Sequence, residues 1–287
     1  MSFSPLALTA RFSNAQWSPL AAMLVALSAG VGCDAAQVVV APDAGGTNTS
    51  EGSAPHASDA ALEADTSEDW DELQHLPCAA ISAGQTIDSD VVVSRGCTLH
   101  SATINGDLYI EPGASLVAEG VTVNGDIEAV GAERIVLRSG DDFGDTLVQG
   151  NITIDGGTED GGNVSMLGVQ VNGSVTVAFT PGLFSSIGTD YNSDLTVVGN
   201  EDRVELLGSL VKGELVLEDN TIFQMIDSVV AGNLSIFRTE KIVAFLPGEY
   251  TPERPNRIGG DLLCASNELI HSASLKVGGE RAGQCAR

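Results

Sequence analysis

Eight residues with oxygen-bearing side chains occupy the same place after a recurring turn: Asp107, Asp126, Asn151, Ser174, Asp194, Glu214, Asn233 and Asp261. If the segments that hold them stack as parallel strands about 4.8 Å apart, these side chains form one outward ladder. Such a ladder could coordinate calcium, or line the acidic cleft of a polysaccharide lyase or hydrolase. Electrostatics weigh against both. Two unit charges about 4.8 Å apart repel by about 0.9 kcal/mol in water and about 3.5 kcal/mol at an effective dielectric of roughly 20. Asn151, Ser174 and Asn233 interrupt the acids, so no three consecutive rungs of the eight are carboxylates. Turn-forming polar residues in contact with solvent explain the pattern better.

Two loops offer further carboxylates: Asp141, Asp142 and Asp145 in SGDDFGD, and Asp155, Glu159 and Asp160 in DGGTEDGGN. They are weak calcium candidates, because neither loop has the ligand spacing of an EF-hand or of a glycine–aspartate nonapeptide array. The insert PGEYTPERPN and the Arg257 that follows it, with Tyr250 and Arg254, form the densest cationic stretch of an acidic chain. It is a candidate contact loop for an anionic glycan or a partner protein. The four histidines (His56, His75, His100, His271) show no metal-ligand spacing, and no GxSxG elbow, HExxH helix or Walker loop occurs. The sequons at Asn151, Asn163, Asn172 and Asn233 follow from Ser and Thr at outward positions. No catalytic residue and no cofactor is assigned, and the chain reads as non-enzymatic. The alternative is a carbohydrate-active β-helix enzyme, a polysaccharide lyase or hydrolase. It would need clustered carboxylates and aromatic sugar platforms, whereas the chain has three tyrosines and two tryptophans, both tryptophans outside the repeats.

The elements that position these residues are written eight times: INGDLYI, VNGDIEAV, VQGNITI, VNGSVTV, YNSDLTV, VKGELVL, VAGNLSI and IGGDLLC. The turn positions Gly106, Gly125, Gly150, Gly173, Ser193, Gly213, Gly232 and Gly260 are 19, 25, 23, 20, 20, 19 and 28 residues apart. A period of about 20 residues built from extended words marks a solenoid with one coil per repeat. The longer intervals hold the inserted loops. Within one copy, Val121, Val123, Ile127 and Ala129 face one way and Thr122, Asn124, Asp126 and Glu128 the other. Gly125 falls on the inner side, where a side chain would crowd a corner. A second inward pair follows in most coils: Ile135 and Leu137, Val164 and Met166, Val204 and Leu206, Ile222 and Met225, Ile242 and Ala244. A leucine-rich repeat lacks support without its Leu/Asn template, and a β-sandwich gives no reason for one word at one phase. The fold class is all-β, a single-stranded parallel β-helix of about eight or nine coils over residues 78–287.

The chain has 287 residues, 33 glycines and a net charge of −26. That charge argues against nucleic acid, whose binding needs cations facing phosphate, and against adsorption to anionic lipid. Residues 1–32 read as a signal peptide, with the apolar run LAAMLVALSA from Leu20 to Ala29, too short to span a bilayer. The following Gly30-Val31-Gly32-Cys33 resembles the lipobox of bacterial lipoproteins, which implies lipidation of Cys33. The expected location is therefore the cell envelope, periplasmic or at the cell surface, with membrane contact only through that anchor. Residues 33–77 hold ten Asp or Glu and no Lys or Arg, and read as a disordered acidic tether. Trp70, Leu73 and Leu76 are spaced for one short helical turn near its end.

Five cysteines in an exported chain leave an even set once Cys33 is set aside. Cys78 and Cys97 are 19 residues apart, and Cys264 and Cys285 are 21 apart, about one coil in each case. Residues one coil apart lie within the Cα separation a disulfide accepts. The expected pairing is Cys78–Cys97 and Cys264–Cys285, one staple at each end of the array.

The GD-[IL]-x-[IV] words, from roughly Ile104 to Cys264, resemble those of bactofilins, bacterial β-helix proteins that polymerise end to end. The resemblance implies the fold. Bactofilins are cytoplasmic and lack export signals and terminal cysteine pairs, so their polymer-forming role is not carried over. The expected role is a non-enzymatic envelope lipoprotein that presents a rigid β-helix for structural, adhesive or partner-binding work, toward an envelope protein or a glycan.

Overall fold

The computed structural model describes residues 76–159, 161–240, 242–246, 255–272 and 274–286. The expected signal peptide, Cys33 and nearly all of the expected tether lie outside them, as do Asp160, Tyr250 and Arg254.

One coil shows how the sequence makes the fold. Ile127–Val130 is a strand, Arg134–Arg138 a second and Leu147–Val148 a third, after which Ile152–Asp155 returns beside the first. Each strand pairs in parallel with its equivalents one coil before and one coil after. The strands collect into three sheets of 11, 9 and 10 members, here called I, II and III in the order a coil visits them. The result is an all-β parallel solenoid of about nine turns. No α-helix occurs among the described residues, and 3₁₀ turns at Cys78–Ala80 and Gln284–Ala286 stand at the two ends.

Alternation decides what is buried. On sheet I, Ile127, Ala129, Ile152, Ile154, Val175, Val177, Leu195 and Val197 point inward and are buried, while Glu128, Val130, Thr153 and Asp155 are exposed. Sheets II and III add Ile135, Leu137, Val148, Val164, Met166 and Val171 to the same column. Each fully buried aliphatic side chain contributes about 1.5–3 kcal/mol, so the column is the main source of stability. Branched Val, Ile and Thr suit these short pleated segments because their χ1 freedom is already restricted.

Three expectations need correction. In the two coils before the last strand of sheet II, Ile270–Ser272, the inward pairs are Phe223 with Met225, and Val243 with Phe245. Ile222 is only partly buried. The expected pairs Ile222/Met225 and Ile242/Ala244 ignored strict alternation, and two rings in edge-to-face contact, 6.0 Å between centroids, fill that end of the column. The ordered body also starts earlier than residue 78. Leu76–Pro77 is a strand paired with Val91–Val92, so Leu76 is extended rather than helical. The third concerns Gly125. A Cβ there would meet Asp107 Oδ1 at 2.2 Å and Gly106 O at 2.5 Å, so it is the preceding coil that forbids a side chain, not the core.

Polar residues line two inner corners without breaking the column. Between sheets II and III, Thr189, Ser209, Ser228 and Asn256 stack on one another through buried hydrogen bonds such as Ser209 N–H to Ser228 Oγ at 3.1 Å. Asn256 Nδ2 donates to the carbonyls of Met225, Leu246 and Ser274. Between sheets I and II, Asn200, Asn220 and Asn267 do the equivalent work, each amide reaching a neighbouring coil. Buried polar groups persist where a partner is supplied.

Candidate functional site

The ladder that follows the turn glycine is occupied from within. Asp107 Oδ1 accepts the N–H of Asp126 at 2.7 Å, and Asp126 Oδ1 accepts that of Asn151 at 2.6 Å. The same bond runs from Ser174 N–H to Asn151 at 3.0 Å and from Glu214 N–H to Asp194 at 2.7 Å. It recurs from Asp261 N–H to Asn233 at 2.9 Å. Ser174 is too short to cross and shares its hydroxyl with Ser193 at 3.0 Å, while Glu214 receives the side-chain amide of Asn233 at 2.8 Å. A short Asx side chain on one coil thus holds the backbone of the next. These are charge-assisted bonds where the acceptor is Asp.

The ladder is longer than the repeat words show. Asp90 Oδ1 accepts the N–H of Asp107 at 2.9 Å, and Asp261 Oδ1 accepts that of Glu280 at 2.8 Å. Asp90, Asp107 and Asp126 are therefore three consecutive carboxylate rungs, which corrects the count made on eight residues. The first rung escaped notice because Ser89 stands where later words have glycine. Asp107 is further engaged by the Tyr109 hydroxyl, which donates to Oδ2 at 3.2 Å. Partial burial, with the Asp107 carboxylate beside it, pushes the Tyr109 phenol up to about 12.

Beside this ladder runs a second one of amides, also unread in the sequence. Asn105 Nδ2 donates to Asp88 at 2.6 Å, and Asn124 Nδ2 to Asn105 at 2.7 Å. Further along, Asn172 donates to Gln149, Asn192 to Asn172, and Lys212 to Asn192. The signal was present as the residue before each turn glycine, where Asn recurs.

The loop holding Asp141, Asp142 and Asp145 folds back over the two preceding coils. Phe143 stacks on His100, with ring centroids 4.5 Å apart and planes 25° from parallel, and its carbonyl accepts the Ser101 hydroxyl at 3.2 Å. A Cβ on Gly120 would stand 2.0 Å from the Phe143 carbonyl oxygen, so glycine there admits the strap. Beneath it, Glu119 pairs with Arg138 at 2.9 Å and approaches His100 Nδ1 at 3.7 Å. His100, Glu119 and Arg138 are successive rungs of sheet II, brought together by stacking and invisible to linear spacing. Asp141, Asp142 and Asp145 themselves are exposed, as are Asp155 and Glu159. Among the described residues no three His, Cys, Asp or Glu side chains gather as a metal site. Arg257 is exposed on sheet III, between Val229 and Lys276.

A cleft of about 240 Å³ opens at the corner of sheets II and III, where Asp145, Leu147, Gln170 and Asp190 surround Gly168 and Gly188. The cysteines sit at the ends of the stack. Cys78 and Cys97 are bonded with Cα atoms 6.2 Å apart, and Cys264 and Cys285 with Cα atoms 5.3 Å apart.

Comparisons of the chain with family models, with curated proteins and with solved structures return no match.

Proposed function

We propose that the chain is an exported, lipid-anchored protein of the cell envelope that presents a rigid β-solenoid to a partner and catalyses no reaction. One observation carries this reading. Recurring Asp and Asn residues after the turn, the first place to look for an extended acidic site, spend an acceptor on the amide of the adjacent coil. A carboxylate so engaged serves stacking rather than general acid–base work, which needs a group within reach of substrate. The acidic stretch between Cys33 and the first strand supports the reading as a solvated spacer, since it has little to bury. The net charge of −26 keeps such a body soluble and apart from its copies.

Replacing Cys33 by Ala tests it. The variant is expected to move from the membrane to the soluble fraction and to lose labelling by a fatty-acid probe. Membrane partition unchanged by Cys33→Ala contradicts the anchor. Release of new reducing ends from a polysaccharide panel contradicts the absence of catalysis.

A further inference from the structure

The outer face of sheet I changes character along the solenoid. Its early rungs carry Tyr109 with Glu111, Glu128 with Val130, and Thr153 with Asp155. Five later rungs carry Thr176 with Ala178, Thr196 with Val198, Val216 with Glu218, Ser235 with Phe237, and Leu263 with Ala265, in register. The one charge among these ten, Glu218, is paired with Arg238. In a chain of net charge −26 this is a neutral strip. It is partly exposed throughout, with Leu263 at 37%.

At its edge stands Phe179, 64% exposed and with φ of 52°. The left-handed conformation recurs at this corner in the neighbouring coils, at Gly156, Gly199, Asp219 and Arg238, so the turn of the solenoid imposes it and Phe179 is the one aromatic placed there among the described residues. The ring lies along the next coil, where a Cβ on Gly199 would be 2.7 Å from Phe179 Cδ1. An exposed aromatic thus lies over the Gly199 corner, at the edge of the strip. The hydroxyls of Thr176, Thr196 and Ser235 bond no other side chain or backbone group among the described residues.

Dimensions select the occupant. Five rungs span about 19 Å along the axis, and two outward residues span about 7 Å across it. That footprint falls far short of the about 800 Å² per partner that a stable protein interface needs. It fits one extended chain. Methyl groups and a flat ring beside hydroxyls match the mixed apolar and hydroxyl surface of a pyranose, whereas a polyanion would meet the repulsion of the whole body.

We infer that this strip of sheet I binds a single uncharged polysaccharide chain laid along the solenoid axis. Sugar faces rest on Phe179, Val198 and Phe237, and sugar hydroxyls bond Thr176, Thr196 and Ser235. The inference rests on the proposed role as a binding protein and names its ligand class and surface.

The test uses the full chain with cellulose, chitin and a soluble neutral glucan as probes, and polygalacturonate as the anionic control. The expected result is retention on at least one neutral probe, unchanged in molar salt. Retention should weaken at least tenfold in Thr196→Glu and in Phe179→Asp and be unchanged in Glu128→Gln, with strand-rich circular dichroism preserved in all three. No retention on any neutral probe overturns the inference, as does retention on polygalacturonate alone or indifference to both strip variants. A concentration-dependent dimer that Phe179→Asp dissociates also overturns it, by making the strip a contact between copies. Retention accompanied by new reducing ends supports the strip and contradicts only the absence of catalysis. Fractionation of Cys33→Ala decides the anchor separately.

Discussion

Asp107 Oδ1 stands 2.2 Å from where a Cβ on Gly125 would be, and it accepts the N–H of Asp126 at 2.7 Å. The glycine of one coil and the acid of the coil before it are one device. The relationship recurs between Asp126 and Gly150 at 2.2 Å, Asp194 and Gly213 at 2.1 Å, and Asp261 and Gly279 at 2.2 Å. Most copies of the repeat word supply half of the contact to a neighbour, with Ser174, Ser193 and Glu214 as departures, which explains why the word is written so often.

Gly125→Ala should therefore destabilise the fold by about 3 kcal/mol, the upper range for overpacking. Chemical denaturation measures it. In an Asp107→Ala background the same change should cost less, because the carboxylate is gone, although Gly106 O remains in the way. Strict additivity in that double-mutant cycle would show that the glycine is needed for some other reason.

Asp107→Asn keeps the acceptor oxygen and removes the central charge of the run Asp90, Asp107 and Asp126. It should leave stability unchanged or raise it by about 1 kcal/mol at low salt, with the gain shrinking as salt screens the repulsion. Asp107→Ala should lose about 1.5–3 kcal/mol, the worth of a charged hydrogen bond. If millimolar calcium raises the melting temperature of the parent protein and not of Asp107→Asn, the ladder is a metal site after all.

The solenoid was legible because its period and its word are local facts. Val121, Val123, Ile127 and Ala129 announce the inward face by alternation alone, and the cysteine spacings match one coil. What stacking assembles was not legible. His100, Glu119 and Arg138 lie 19 residues apart in succession, and nothing in that spacing says they face one another until the register of sheet II is known. The inward pairs at Phe223 and Val243 were misread because apolar residues on both faces of those strands hide the alternation. Asp90 was missed for lack of a glycine before it. Function was the least legible, since residues that repeat for stacking resemble residues that repeat for ligand.

Two tyrosines make stability fall in alkali. Burial raises Tyr191 above the ordinary phenol range, its hydroxyl donating to Ser186 at 2.8 Å, and Tyr109 is pushed up to about 12. Unfolded tyrosine ionises near about 10. The folded state then holds protons that the unfolded state releases, so stability is complete below about pH 10 and declines as pH rises from there. Phenolate absorbance should show both residues protonated at about pH 11 in folded protein. Ordinary ionisation of all tyrosines before any loss of circular dichroism would contradict this.

The inner corners give opposite predictions at two sites. Asn256→Ala removes three bonds to carbonyls and the acceptor of the buried Ser228 N–H, four bonds in all, and should cost about 4 kcal/mol, roughly 1 for each. The buried Thr239 hydroxyl has no hydrogen-bond partner among the described residues, so Thr239→Val should be neutral or stabilising. Thermal denaturation distinguishes the two, and a Thr239→Val loss above about 1 kcal/mol would mean that the hydroxyl is satisfied in solution.

The central claim, a linear stack of coils closed independently at its two ends, is tested most directly by non-reducing peptide mapping. Each staple closes a loop of about 20 residues and should add about 3 kcal/mol by the chain-entropy estimate. The account predicts one peptide joining Cys78 to Cys97 and another joining Cys264 to Cys285, with no other linkage among the four. A peptide joining Cys78 or Cys97 to Cys264 or Cys285 within one chain would contradict it, because those residues stand at opposite ends of the solenoid.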